Sequence, residues 1–453
     1  MLLALLWGCA GPPIEPCGCI DGHGIALCEG RDCTCQCLDL APATEDPTPT
    51  ITRFVDADAT GGDGREGTPW AQPDWAALDR DVASGHVRVI FDAADTWPER
   101  LDIRRTDAGP NRIVLDGRRQ RRTSDGWVDA DGARAVVPGV HTGFDDVARS
   151  RITVRGFDVT RSRDKGIYWR AGDDIVIEDN LVHDNRGTPA ISLDYSSRSG
   201  HPSTSFVVRN NHVWDQVGEG IYIGGSEGED LDAHAIVVIE NNLVHDLTHP
   251  TSTRHDGINV KDRIGQVTVA HNVVFRTHWG IEIASPGAVR GNLVFATQSN
   301  GIHVTDTWGL GLSGLILEDD VVLDAGEAAI YLNATRKPWT DVLLSRLTLV
   351  GPRQAAIEAG GDGGIDGSID DVVLADAKVG LDAWSPMGFA LGSCTVHGDG
   401  LAGDRDFQAL AAACVDADPG FGDLAMPAGP DGRFFTEDDP WVSAAGGARP
   451  RGD

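Results

Sequence analysis

The sequence predicts an all-β solenoid, a stack of parallel coils each made of two or three short strands joined by tight corners. Three observations point there. A five-residue phrase recurs along the chain: GIYWR at Gly166, AISLD at Ala190, GIYIG at Gly220, GINVK at Gly257, GIEIA at Gly280, GIHVT at Gly301, AIYLN at Ala329, AIEAG at Ala356 and GLDAW at Gly380. Its copies stand 21 to 37 residues apart, the spacing of a repeat protein. Within each phrase apolar and polar residues alternate, the period of a strand with one buried face. A second phrase keeps step with the first and sets Asn180, Asn211, Asn242, Asn272 and Asn292 in one column, with Phe157 before them and Asp320 and Leu347 after. Five stacked amides satisfy one another and the backbone. One unit cannot bury its apolar face alone; stacked units do so by forming parallel sheets at a strand spacing of about 4.8 Å.

Taken in order, the chain opens with MLLALLWGC, residues 1–9. Leu6-Trp7-Gly8-Cys9 resembles the lipobox of bacterial lipoproteins, which implies lipidation at Cys9; an ordinary cleaved signal is the rival reading. Residues 10–40 carry six cysteines: Cys17, Cys19, Cys28, Cys33, Cys35 and Cys37. In an exported chain these read as three disulfides in a small knot, in a cytosolic one as a metal site. Residues 41–52 are a Pro/Thr-rich linker without core-forming side chains. Residues 53–86 form an entry segment with a helix between Asp74 as N-cap and Gly85 as C-cap. Such a helix covers an open sheet edge that would otherwise template aggregation. The solenoid is expected over 87–390, and residues 391–453 as a C-terminal capping segment in which Cys394 and Cys414 close a loop.

With these phrases the chain resembles the right-handed, single-stranded parallel β-helix superfamily of pectate-lyase-like proteins. The resemblance spans roughly residues 54 to 440 and concerns fold far more than activity.

Composition bounds the partners. The net charge of −31 disfavours nucleic acid, since phosphate binding needs cationic patches. Acidity permits Ca²⁺ without assigning any residue to it. No apolar run approaches the ~20 residues of a membrane span, so membrane contact is expected through the lipid alone. An exported or cell-surface monomer follows as the expectation.

Alternation also assigns directions. Ile258 and Val260, Ile281 and Ile283, Ile302 and Val304, and Ile330 and Leu332 point inward. The third column then points outward and reads Tyr168, Ser192, Tyr222, Asn259, Glu282, His303, Tyr331, Glu358, Asp382. Lys261 and Asn333 fall in the fifth; His255, His278 and Trp279 sit at the edge, and Asp306 one step beyond its strand. Aromatics beside carboxylates, amides and a cation suit a polysaccharide cleft. Tyr222, His255, Asn259, His278, Trp279, Tyr331 and Asn333 are its expected binding residues, and Lys261, Glu282, His303 and Asp306 its catalytic candidates. Asn259 and Lys261 resemble the Asn-x-Lys strand of alginate lyases and chondroitinase B, which implies Lys261 as the base of uronate β-elimination or epimerisation. The Arg those enzymes carry on the next coil is replaced here by Glu282 and Ala284. Glycoside hydrolysis by Glu282 and Asp306, or glycan binding without turnover, are the alternatives.

Overall fold

The computed structural model describes residues 47–105, 109–142, 149–195, 205–225, 235–247, 255–261, 264–306, 311–383, 387–398 and 414–422. Gly309, Leu424, Pro427, Phe434, Phe435 and Asp439 are also described, and two strands of backbone, Gly24–Glu29 and Asp32–Cys37. Those two strands form an antiparallel hairpin that sets Cys28 opposite Cys33. Cys9 and the disulfide pairing of the Cys-rich segment lie outside the described residues and side chains, as does the insert at 248–254 expected to overhang the coil face.

Three long sheets of 14, 12 and 11 strands run side by side, each coil between the ends of the stack giving one strand to each. The first runs from Ile51–Val55 to Met387–Leu391, the second from Ala135–Val137 to Cys414–Asp416, the third from Leu101–Asp102 to Val379–Ala383. Every neighbouring pair in these stacks is parallel; the hairpin joining Ile113–Thr123 to Gly126–Asp129 is an antiparallel attachment to the first sheet. The stack therefore exceeds the expected 87–390 at both ends. Ile51–Val55 already pairs with Val87–Asp92, and Cys394 and Cys414 occupy adjacent, registered strands of the second sheet. Their disulfide clips two coils together and does not close a loop beyond the last one.

The core is the inward column. Ile258, Val260, Ile281, Ile283, Ile302, Val304, Ile330 and Leu332 are fully buried in one apolar cluster running the length of the stack. The helix forms at Trp75–Val82, where the Asp74 carboxylate accepts from the Ala77 amide at 3.0 Å, and it buries Leu78 and Val82 against the first coils. It ends at Ala83, two residues before the glycine predicted to stop it.

The asparagine column is a continuous ladder. Asn211 Nδ2 donates to Asn242 Oδ1 at 3.0 Å, Asn242 to Asn272 at 2.9 Å and Asn272 to Asn292 at 3.0 Å. Each amide also donates to a carbonyl of the preceding coil, as Asn242 does to Val208. The residue before each rung is left-handed: Asp179, Asn210, Asn241, His271, Gly291 and Asp319 have φ between 53° and 58°. Asn, Asp and Gly tolerate that conformation best, so the corner chemistry and the ladder specify one another. Asp320 ends the run, accepting from Asn292 Nδ2 at 2.8 Å.

A second apolar cluster lies outside the coils. Phe275 and Phe295 stack at 4.5 Å on the outer face of the second sheet, covered by Phe421, Leu424, Phe434 and Phe435. His183, Trp214 and His245 share the column of Phe275 and Phe295, so it is a packing column, as their interchange predicts.

Candidate functional site

The third sheet builds the site. Its register pairs Ser192 with Tyr222, Tyr222 with Asn259, Asn259 with Glu282, Glu282 with His303, His303 with Tyr331 and Tyr331 with Glu358. The outward column is therefore assembled in the predicted order, and none of its members joins the interior cluster. The difference lies in depth. Asn259, Glu282 and His303 are only 1%, 4% and 6% exposed although they face away from the core. Tyr222, Lys261, His278, Trp279, Tyr331 and Asn333 are half-buried and form the accessible wall above them.

The floor is a carboxylate cluster. Asn259 Nδ2 donates to Glu219 Oε1 at 2.9 Å and to Asp256 Oδ2 at 3.0 Å, so one amide clasps two carboxyl groups. Lys261 Nζ donates to both oxygens of Glu282, at 3.2 and 3.3 Å. Burial, with Glu282 and Glu219 nearby, pushes the Asp256 carboxyl up to about 8. It is therefore a protonated acid at neutral pH. Asp256 Oδ1 and Asn259 Oδ1 are buried with no hydrogen-bond partner among the described residues. Such atoms are costly to leave unmade.

His303 stands between two rings, 4.4 Å edge-on from Trp279 and 5.0 Å stacked on Tyr331. Both its ring nitrogens are buried without a hydrogen-bond partner among the described residues, and burial lowers its pKa to about 4. It is neutral at pH 7. His255 packs against His278 at 5.3 Å, and burial lowers His278 as well. Gly224 makes room for the wall: a Cβ there would fall 2.7 Å from the Tyr222 hydroxyl and 2.9 Å from Lys261 Cγ.

Two catalytic expectations change. Asp306 is a bracket: its Oδ1 accepts from Thr335 N at 2.6 Å and its Oδ2 from Gly311 N at 3.2 Å, and at 1% exposure it holds a loop. Lys261, the expected base, has its Nζ engaged by both oxygens of Glu282. Two residues that the column reading missed complete the floor, Glu219 and Asp256. They occupy the corner just ahead of the small residue that opens each phrase, where Gly220 N donates to Asp256 O and Gly257 N to Trp279 O. Their signal was an acidic residue directly before glycine in GEGIYIG and HDGINVK.

Among the described residues, no three His, Cys, Asp or Glu side chains of the wall bring ligand atoms within 4.8 Å of one another. Among the described residues such a group occurs at Asp56, Asp92 and Asp95 in the entry segment, with carboxylate oxygens within 4.8 Å of one another. There Arg122 pairs with Asp56, and backbone amides of Ala57, Ala94 and Arg122 fill Asp95 and Asp92. Each of the three carboxylates thus has at least one partner in the protein.

No curated protein matches the chain by sequence. Among solved structures it is similar to XylC, determined as a complex with xylose, at 10% identity and a TM-score of 0.53 over 82% of this chain and 87% of that one. It is similar also to the catalytic unit of the GH87 α-1,3-glucanase of Streptomyces thermodiastaticus, at 13% identity and 0.48 over 81% and 72%. Pectate lyase Pel9A follows at 12% identity and 0.38 over 88% and 90%. At such identities the likeness is one of fold. The family model described as the right handed beta helix region matches residues 141–229 and 200–367, which together make half of the sequence. With three registered parallel sheets wound coil upon coil, the chain belongs to the right-handed parallel β-helix superfamily.

Proposed function

We propose that the outer wall of the third sheet binds a polysaccharide and cleaves it by acid–base chemistry between carboxyl groups. The observation that carries this reading is the floor around Asn259 and Lys261, where Glu219, Asp256 and Glu282 converge. Two carboxyl groups in different charge states are the requirement of glycoside hydrolysis. Asp256, pushed up to about 8, is the acid, and Glu282, whose two oxygens both accept from Lys261 Nζ, is the second carboxyl group. Tyr222, Trp279 and Tyr331 supply faces for sugar rings.

The same floor argues against uronate elimination. The amide and the cation that would neutralise a substrate carboxylate, Asn259 and Lys261, are already engaged by Glu219, Asp256 and Glu282. Hydrolysis of a neutral sugar linkage is therefore favoured over the lyase or epimerase reaction that the Asn-x-Lys resemblance implies. The likeness to XylC, solved with xylose, agrees with a sugar ligand. We place the protein outside the cytoplasm, with Cys9 as a lipid anchor; the Cys394–Cys414 disulfide supports an oxidising compartment.

The test is a product assay on neutral glucans and xylans beside uronate polymers. New reducing ends without unsaturated uronyl ends support hydrolysis; ultraviolet-absorbing unsaturated ends restore the lyase reading. A protein that binds a glycan through Tyr331 yet releases neither product is a binding module.

A further inference from the structure

A cavity of about 630 Å³ lies at the N-terminal end of the corner between the second and third sheets, outside the site described above. Trp97, Arg100, Asp102, Arg161, Arg163 and Asp164 are among its lining residues. It spans three successive coils, because Leu101 pairs with Val140 and Val140 with Ile167 in the third sheet. Its size is that of a small-molecule site.

Its charges balance. Three guanidinium groups, Arg100, Arg161 and Arg163, face three carboxylates, Glu99, Asp102 and Asp164. Arg100 donates to Asp102 at 2.7 Å, while Arg161 and Arg163 make no ion pair among the described residues. Other arginines of this acidic chain do pair, as Arg209 with Glu178 and Arg346 with Asp319. A lining rich in both donors and acceptors, with no net charge, suits hydroxyl groups, each of which gives and takes a hydrogen bond.

The cavity's last lining residue, Asp164, stands just ahead of the third-sheet strand Ile167–Trp169. Lys165, next in sequence to Asp164, donates to Asp194 at 2.9 Å and stands 4.0 Å over the Tyr168 ring. Tyr168, Ser192, Tyr222 and Asn259 then follow in register. From the Tyr168 strand to the Asn259 strand is three strand spacings, about 14 Å.

We propose that this cavity is a distal sugar subsite of the same groove, holding a neutral sugar unit of a chain whose reacting linkage lies over Asn259. The substrate is then a neutral polymer several units long, not a short glycoside. The proposal rests on the reading of the wall as a glycan cleft.

The experiment measures binding of the full-length protein to xylo-, gluco- and manno-oligosaccharides of two to six units and to oligogalacturonates. It compares wild type, the double variant Arg161→Gln/Arg163→Gln and Tyr331→Ala, with thermal melting as the folding control. In the expected result six-unit neutral chains bind more tightly than two-unit chains, and the Arg double variant weakens the long chains about tenfold without touching the short ones. Tyr331→Ala weakens both. Long-chain affinity unchanged in the Arg double variant, with Tyr331→Ala still harmful, overturns the subsite and leaves the cleft standing. Loss of oligogalacturonate binding alone in the double variant overturns the neutral ligand. If no chain binds, the cleft reading fails and the subsite with it.

Discussion

The asparagine ladder and the third-sheet wall bury the same kinds of side chain and treat them in opposite ways. In the ladder every amide has partners above, below and on the backbone; Asn242 alone makes contacts to Val208, Glu240, Asn211 and Asn272. On the wall Asn259 Oδ1, Asp256 Oδ1 and both nitrogens of His303 are buried and unpartnered among the described residues. A fold able to satisfy five consecutive asparagines does not leave those atoms open for want of backbone. Polar burial completed by the protein serves stability, and polar burial left incomplete awaits something else.

Four changes sharpen that contrast, in descending order of effect. Asp256→Asn keeps the bond to Asn259 available but removes the transferable proton, so turnover of the polymer substrate should fall roughly 10² to 10⁴-fold, with melting temperature unchanged or raised. Wild-type turnover should itself decline as pH rises through about 8, where Asp256 loses its proton. A pH profile without that alkaline limb refutes Asp256 as the acid.

Asn242→Ala breaks the ladder in its middle. It strips Asn211 of its acceptor and leaves the Val208 carbonyl bare, for a loss of about 3 kcal/mol in chemical denaturation. A loss below about 1 kcal/mol would show the ladder to be incidental.

Asp320→Asn acts at the ladder's end. Burial pushes the Asp320 carboxyl up to about 7, and its Oδ2 is buried without a partner among the described residues. The folded state thus holds a proton that the unfolded chain releases near pH 4. That stability is complete below about pH 4 and is lost as pH climbs to about 7. The amide, needing no proton, should raise the melting temperature at pH 8 and flatten its slope between pH 4 and 7. Parallel slopes for wild type and variant would exclude Asp320 as the titrating group.

Gly224→Ala is the gentlest. Its methyl would force Tyr222 and Lys261 apart. The half-buried Lys261 can yield, so a several-fold rise in KM with little change in stability is expected. An unaltered KM would detach Tyr222 from binding.

The two regions also differ in how readily they were read from sequence. The ladder is local periodicity: one residue type at one repeat position, with Asn or Asp before it at the left-handed corner. The outward column was legible for the same reason, because a period of two fixes direction once the inward residues are known. Depth was not legible. Nothing in INVK says that Asn259 is more deeply buried than Lys261, since cover comes from neighbouring coils and side chains across the corner. Glu219 and Asp256 escaped because the alternation stops at the corner that carries them. Asp306 misled because a carboxylate near a sheet edge can as well cap backbone amides as perform chemistry. At the C-terminal end, period-2 signals weaken beyond Leu381, and the coils through Cys414 carry too few repeats to be counted.

The stripe made by Phe275 and Phe295 has a bearing on how the molecule is made. Phe435 lies 6.0 Å from His271, six strands back along the second sheet from Cys414–Asp416. A ribosome delivers coils in order, and each can dock on the one before it. Yet the greasy flank stays bare until Phe421, Leu424, Phe434 and Phe435 emerge. Synthesis cut short before Phe421 would leave a wound but sticky rod, a client for chaperones or proteases although every earlier coil is in place.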